Sequence, residues 1–422
     1  KAQDPDLKIL SKRDCEILKS LEGGQIEVAR VKEKAFRRSS PAPFTTSTLQ
    51  QVAGNKLGLS SRTVMRSAQS LYENGFITYM RTDSTDLSQE ALDAAREEIG
   101  RLYPKALPAS PKKYETRSPG AQEAHEAIRP TYIENTSIEG TPQEQKLYEL
   151  IWKRTVASQM ADARILRTDI KVASDKGEEK FNVQASEVLF DGFLKLYMES
   201  TDEPSQDDEM VILPEMSIGA KMFEEGITAE CKFTSAPSRY SEATLVKKLE
   251  ELGIGRPSTY APTISTLTKG RGYIIKGDKT GEKHDVTNLS LNNGIIKASA
   301  KTETTGAEKR KLLPQDIGMI VTDYLVKNFP HILDYRFTAN VEQDFDKIAE
   351  GNAVWNGVIE DFYGDFHTQI TEALSNREYS NVSRELGVDP SDGQPLIAKF
   401  GQYGPYVQKG EGENRVFASL AP

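Results

Sequence analysis

The chain has 422 residues, 37% hydrophobic and 28% charged, and its 54 basic and 63 acidic residues give a formal net charge of −9. That length predicts about two to four domains with ample core, and no run of about 18 apolar residues is present to span a membrane as a helix. Two cysteines, Cys15 and Cys231, exclude a disulfide scaffold and a CxxC zinc module and fit a reducing cytoplasm. The four histidines, His125, His284, His331 and His367, include no pair at metal-ligand spacing. An acidic total argues against nucleic acid, but the charge is unevenly spread. Glu199 to Glu209 carries six acids and no base, whereas Arg30 to Arg38 carries five bases against Glu33. A local basic face binds phosphates whatever the sum.

In chain order, residues 8–22 read as a helix with Ile9, Leu10, Cys15, Leu18 and Leu21 on one face, ended by Gly23-Gly24. Residues 25–34 are strand-like, and Ser39 to Pro43 is a breaker cluster. Ser47 or Thr48 then caps a helix through about Leu57, Gly58-Leu59-Ser60 turns, and Ser61 caps a second helix to about Asn74. Gly75 opens a short strand, Phe76 to Ser84. On a strand, Tyr79 and Arg81 share a face, because side chains alternate with period two. A phenol oxygen beside a fixed cation is what phosphodiester transesterification needs.

Residues 91–102 are helical, 103–120 form a proline-rich loop, and 121–128 are short and helical. Residues 142–163 form an amphipathic helix with Leu147, Tyr148, Ile151, Trp152 and Val156 on one side. From Arg164 to about Ile227 the period changes to two, with a turn at Asp175-Lys176-Gly177. These strands and residues 24–36 are expected to share one sheet or barrel, with 39–163 inserted between the halves. The helix–turn–helix–strand pattern then recurs. Ser241 caps a helix through Leu252, residues 253–257 turn, Ser258 caps a helix to about Leu267, and Gly272 opens a strand. Gly58 to Gly75 and Gly255 to Gly272 are both 17 residues apart. This reads as two winged-helix-like units, used for DNA binding or as plain protein-contact modules. Residues 294–311 read as a polar loop, 317–329, 340–351 and 355–374 as helices, and 380 onward as a small β module rich in Gly, Pro and aromatics.

Four segments carry a resemblance: Ala42 to Gln51, Ile77 to Ser84, Gln122 to Pro130, and Gly253 to Tyr260. In this order and at this spacing they resemble the signature segments of bacterial type IA DNA topoisomerases, specifically topoisomerase I. The resemblance covers residues 1 to about 375, and 384–420 resembles the zinc-free C-terminal repeats of some members. It implies a fold class: multi-domain α and β, a type IA core with a β-rich arch (1–38 plus 166–237), a helical domain carrying the tyrosine (39–165), a helical winged-helix-like domain (238–375) and a small β module (380–422). It also implies roles. Tyr79 matches the nucleophile that becomes joined to a DNA 5′-phosphate. Arg81 matches the arginine on the scissile phosphate, His125 a histidine approaching it, and Asp83 a carboxylate near the arginine. Arg256, Ser258 and Thr259 match residues near the single-stranded DNA path, and Arg271 a further DNA-contacting arginine.

A phenol has a pKa of about 10 and is a poor nucleophile at neutral pH without a nearby cation or base. A phosphotyrosine ester conserves bond energy, so no ATP is expected, and no GxxxxGK[ST] loop is present. The family's Mg²⁺-binding module, with its DxDxE cluster, is expected to lie N-terminal to this region. Asp344, Asp346 and Glu350 imitate it superficially, but on a helix i and i+2 point apart. The chain, which begins with Lys1, is therefore read as an internal, gate-bearing piece, inactive in cleavage alone. The partner expected is single-stranded or negatively supercoiled DNA, bound by a cytoplasmic, nucleoid-associated monomer. The rivals are a topoisomerase III or reverse gyrase core, a non-catalytic single-strand-binding protein, and a tyrosine nuclease with paired histidines.

Overall fold

The structure is a computed structural model. It describes residues 16–18, 21, 25–114, 125–175, 180–198, 216–222, 226–234, 236–292, 295–375, 383–401, 404–412 and 415–420. Most of the expected first helix, the Gly23-Gly24 stop, the acidic loop after Glu199 and Gln122 to Ala124 lie outside them; residues 16–18 and Leu21 are helical. The chain divides into two compact units, one of residues 1–248, 257–261 and 277–311, the other of 249–256, 262–276 and 312–422.

In the first unit, β1 (Ile26–Arg38) pairs antiparallel along its whole length with β2 (Ala163–Ser174), from Ile26 opposite Ser174 to Arg38 opposite Ala163. β3 (Lys180–Phe190) flanks β2 and β4 (Lys221–Met222) flanks β1, giving the order β3-β2-β1-β4. Residues 39–162 thus leave and re-enter one sheet. They hold the helices α1 (Thr46–Leu57), α2 (Ser61–Glu73), α3 (Gln89–Leu102) and α4 (Pro142–Gln159). The caps fall earlier than expected. Thr45 and Thr48 form a reciprocal capping box on α1, and Ser60 caps α2 by accepting from Thr63 N.

α4 is the axis of this block. The sequence gives it one apolar side, yet from Leu150 to Gln159 every residue but Lys153 is buried. Its polar groups are satisfied locally, which permits burial. Thr155 and Ser158 hydroxyls donate to carbonyls of their own helix, 2.9 and 2.7 Å away. The Arg154 guanidinium donates to Ala42 O at 2.5 Å and Tyr197 Oη at 3.1 Å, and it lies over the rings of Phe44 and Tyr197. Arg154 thereby anchors the segment that leads into α1.

Further along the first unit, β7 (Glu282–Asn292) and β8 (Ile295–Thr305) form a hairpin, with β5 (Ile227–Ala229) on its inner edge. β6 (Ile274–Lys279) pairs with β9 (Glu308–Pro314). The expected polar loop over 294–311 is therefore corrected: 295–305 and 308–311 are strand, joined by a turn at Gly306-Ala307. β8 is exposed at most of its positions, so it shows no apolar alternation. Its sequence signal is the Asn293-Gly294 pair between two β-prone runs.

Between these strands α5 (Glu242–Glu251) opens, as expected, on Ser241, whose hydroxyl accepts from Thr244 N at 3.2 Å. α6 is shorter than expected (Tyr260–Ser265) and continues as a π-turn, Thr266–Gly270. Ser258 does not cap it, because Pro257 to Thr259 form a turn ahead of it. In the second unit, α7 (Asp316–Asn328), α8 (Phe337–Ala349) and α9 (Trp355–Ser375) precede a four-stranded antiparallel meander, β10 (Ser383–Val388), β11 (Pro395–Gly401), β12 (Gly404–Lys409) and β13 (Val416–Ser419). No described helix is long and apolar enough to cross a membrane.

Candidate functional site

Residues 77–86 form a strap rather than a strand. Ile77 makes an isolated bridge to Pro130, and residues 81–88 belong to no ladder. The expected strand carrying Tyr79 is absent because the start of α1 and the irregular residues 127–131, not a neighbouring strand, take up its backbone groups. Thr46, the first residue of α1, is fully buried. Its hydroxyl donates to Met80 O (2.8 Å), with Thr82 O at 3.0 Å, and accepts from Thr82 N at 2.8 Å. Thr46 N donates to Thr82 O at 2.8 Å. One threonine therefore grips the backbone on both sides of Arg81. On the other flank, Thr78 Oγ1 donates to Ala127 O at 2.7 Å and accepts from Arg129 N at 3.0 Å, while Thr78 N donates to Arg129 O.

Period two survives without a ladder. Met80, Thr82 and Ser84 are buried; Tyr79 is 42% exposed, Arg81 is exposed and Asp83 is half-buried. Tyr79 and Arg81 thus share the outer face, as an extended backbone demands. Among the described residues neither the Tyr79 hydroxyl nor the Arg81 guanidinium has a hydrogen-bond partner. The Tyr79 ring meets Tyr72, from the last turn of α2, edge to face with centroids 5.2 Å apart. Tyr72 is a contact that sequence reasoning misses; its signal is an exposed aromatic one helix end before the strap.

Three of the four signature segments converge here. Ile128 N donates to Phe44 O, and Ala127 N to Asp86 O, both at 2.8 Å. His125 is exposed and begins the described stretch that these bonds hold against the strap. It is irregular, not helical as expected. Glu126 is a second residue missed by sequence. Its carboxylate accepts from Ser88 N at 2.6 Å and Arg129 Nη2 at 2.8 Å. Burial pushes this carboxyl up, but the bonds from Ser88 and Arg129 outweigh it, and its pKa lies below the ordinary value.

A group depressed in the fold contributes stability above its unfolded pKa, and that stability is lost as pH falls through the folded value. Glu126→Gln is expected to cost on the order of 1 kcal/mol near neutral pH, since the group is partly exposed. The gap to the parent should narrow once pH falls below the unfolded glutamate value of about 4.3 and close only below the depressed folded value; thermal melts at falling pH from pH 7 measure this. Thr46→Val is expected to cost more, about 2–4 kcal/mol, because it strips Met80 O and Thr82 N of a buried partner while keeping the shape. Denaturant melts of Thr46→Val beside Thr46→Ser, which keeps the hydroxyl, check this.

The bonds that gather these three segments do not include the fourth. Arg256 pairs with Glu342 at 2.5 Å. Ser258 and Thr259 are exposed in the turn before α6, and Arg271 is exposed where the π-turn closes, its N–H donating to Thr266 O. A groove of about 850 Å³ between α8 and α9, lined by Phe337, Phe345, Ile359 and Phe362, contains none of the four segments. Among the described residues no group of three or more His, Cys, Asp or Glu is placed to hold a metal ion. Asp344 and Asp346 lie on α8, where Asp344 pairs with Lys347 at 2.6 Å. The Mg²⁺ implied by the resemblance does not fit these residues.

Fold and strap together define a mixed α and β, multi-domain chain that presents a tyrosine hydroxyl and a guanidinium from one clamped segment. The family described as DNA topoisomerase matches residues 4–292. Curated relatives include "DNA topoisomerase 1 type prokaryotic" of Acanthamoeba polyphaga mimivirus, 38% identical over 99% of this chain and 50% of that protein. DNA topoisomerase 1 of Streptomyces coelicolor is 39% identical over 93% of this chain and 40% of its own length. Full-length topoisomerase I from Thermotoga maritima is similar in structure, with a TM-score of 0.68 and 30% identity, covering 97% of this chain and 62% of that one. The chain belongs to the type IA DNA topoisomerases, in the topoisomerase I group. It spans between 29% and 50% of the length of such curated relatives.

Proposed function

We propose that this chain is the gate-bearing part of an ATP-independent topoisomerase that cuts one DNA strand, passes another and reseals the first. Tyr79 Oη attacks a phosphodiester phosphorus. The Oη–P bond forms, the P–O3′ bond breaks, and the phenol proton ends on the departing 3′-hydroxyl, leaving a 5′-phosphotyrosine ester. Attack by that hydroxyl reverses every bond change, so resealing consumes no external energy. Arg81 binds the scissile phosphate and offsets the charge that builds on its oxygens. His125 adds a donor, and Asp83 acts beside Arg81. Arg256, Ser258, Thr259 and Arg271 contact the single strand.

Residues 39–165 act as the gate, 1–38 with 166–237 as its arch, and 238–375 as a winged-helix-like DNA-binding domain. The whole protein relaxes negatively supercoiled DNA as a monomer, using Mg²⁺ held by a module outside the described residues. This chain alone binds single-stranded DNA without completing cleavage. The observation that carries the reading is the pairing of exposed Tyr79 and Arg81 on a strap whose intervening backbone is locked by Thr46.

The test is to trap the complete protein on a single-stranded oligonucleotide with denaturant and map the adduct by peptide mass spectrometry. Nucleotides on the peptide containing Tyr79 are expected. An adduct on another tyrosine overturns the site. Relaxation without any adduct overturns the phosphotyrosine mechanism, and binding with neither adduct nor relaxation favours a non-catalytic single-strand binder.

A further inference from the structure

The turn that carries Arg256 is gripped by α8 within the second unit. The backbone leaves α5 with Gly253 N donating to Glu250 O and Ile254 N to Leu249 O. Gly253 then takes a left-handed φ of 67°, the usual helix exit for glycine. A Cβ on Gly253 would lie 3.2 Å from Ala339 Cβ, so α8 lies against this backbone. Three residues further along α8, on the same face, Glu342 sets Oε2 2.5 Å from Arg256 Nη2. The two side chains are 36% and 22% exposed, so the pair is half-buried.

A guanidinium carries five donors and can meet more than one anion. A phosphate that reaches Arg256 must nonetheless share the cation with a carboxylate, and the two anions repel. The clasp is not a deep well either. Burial pushes the Glu342 carboxyl up, Arg256 pulls it down, and Asp346 adds to the rise, leaving it above its ordinary value. A half-buried pair in which desolvation offsets attraction is one that can be exchanged.

We propose that Glu342 is a built-in competitor for Arg256, holding its guanidinium when no strand is bound and yielding it to a DNA phosphate, so that bound single strand is released faster. This rests on the reading of Arg256 as a DNA contact given above. A strand-passing enzyme must let go of its strand each cycle, and release often limits turnover. The carboxylate weakens the hold at one phosphate without removing the cation that guides the strand.

The test uses this 422-residue chain, a fluorescein-labelled oligodeoxythymidylate, equilibrium anisotropy and stopped-flow dissociation. Glu342→Gln, which keeps the shape and loses the charge, is expected to tighten binding roughly three- to tenfold, mainly through a slower off-rate. Glu342→Ala supplies the same test if thermal melts show the glutamine variant unfolded. Arg256→Ala is expected to weaken binding and flatten the log–log salt slope by about 0.7. In that background Glu342→Gln should change affinity less than about twofold, since the two residues act through one another. Unchanged or weaker binding by Glu342→Gln overturns the competitor role. An equal gain with Arg256 absent assigns the effect to overall charge and also overturns it. If Arg256→Ala alters neither affinity nor salt slope, the DNA-contact reading of Arg256 fails instead, and the competitor role falls with it.

Discussion

Tyr79→Phe in the complete protein is expected to lower covalent adduct formation by at least about four orders of magnitude, the scale on which losing an essential nucleophile acts. Phenylalanine has no oxygen to form the ester, and of the other strap hydroxyls Thr82 and Ser84 are buried, Thr78 is bonded to Ala127 O, and Thr85 is half-buried. Affinity for single-stranded DNA should stay within about threefold, because binding comes mainly from cation–phosphate contacts. Folding should survive too. The ring keeps its edge-to-face contact with Tyr72, and an exposed hydroxyl without a partner contributes little to stability. Denaturant trapping of a labelled oligonucleotide measures the adduct, and anisotropy measures the affinity. Normal adduct formation by Tyr79→Phe would remove Tyr79 from the mechanism.

Arg81→Ala in the complete protein is expected to slow single-turnover cleavage by about 10²–10³-fold, equivalent to about 3–4 kcal/mol of transition-state stabilisation. Single-strand affinity should fall less than about tenfold. The asymmetry follows from charge: the oxygens of a phosphodiester under attack carry more negative charge than in the ground state, so a fixed cation binds the transition state more tightly. The clamp sharpens the expectation. Thr46 bonds to the residues before and after Arg81, so the guanidinium starts from a fixed Cα and reaches the phosphate without reorganising the backbone. Arg81→Lys should recover only part of the rate, since an ammonium lacks the planar fork. An equal loss in affinity and in rate would mean that Arg81 only binds.

Much of the arrangement was legible in local pattern. The shared face of Tyr79 and Arg81 follows from an extended backbone alone and survives the loss of the expected strand. The sheet of residues 25–34 with those after Arg164 follows from period-two stretches on either side of a helical block. The reciprocal Ser241–Thr244 cap is a four-residue signal. The β7–β8 hairpin was illegible as apolar alternation because most of β8 faces solvent. α4 reads as one-sided in sequence because polar residues such as Arg154 and Ser158 look like surface until their partners are known. Glu126 was invisible as a structural anchor because Ser88, one of the residues that satisfy it, lies 38 residues away.

The sequence by itself determined the family, the order of the four segments, and the residue types that can attack and grip a phosphate. These are matters of identity and short spacing, which a linear chain carries openly. Only the tertiary structure decided that Tyr79 rides on a strap and not a strand, that Thr46 and Thr78 lock that strap, and that Glu342 meets Arg256. Each depends on a bond between residues 34 to 86 positions apart in the sequence. Such bonds arise when α1 packs on the strap in the first unit and, separately, α8 packs on the turn before Arg256 in the second, and no local periodicity encodes which pair will meet.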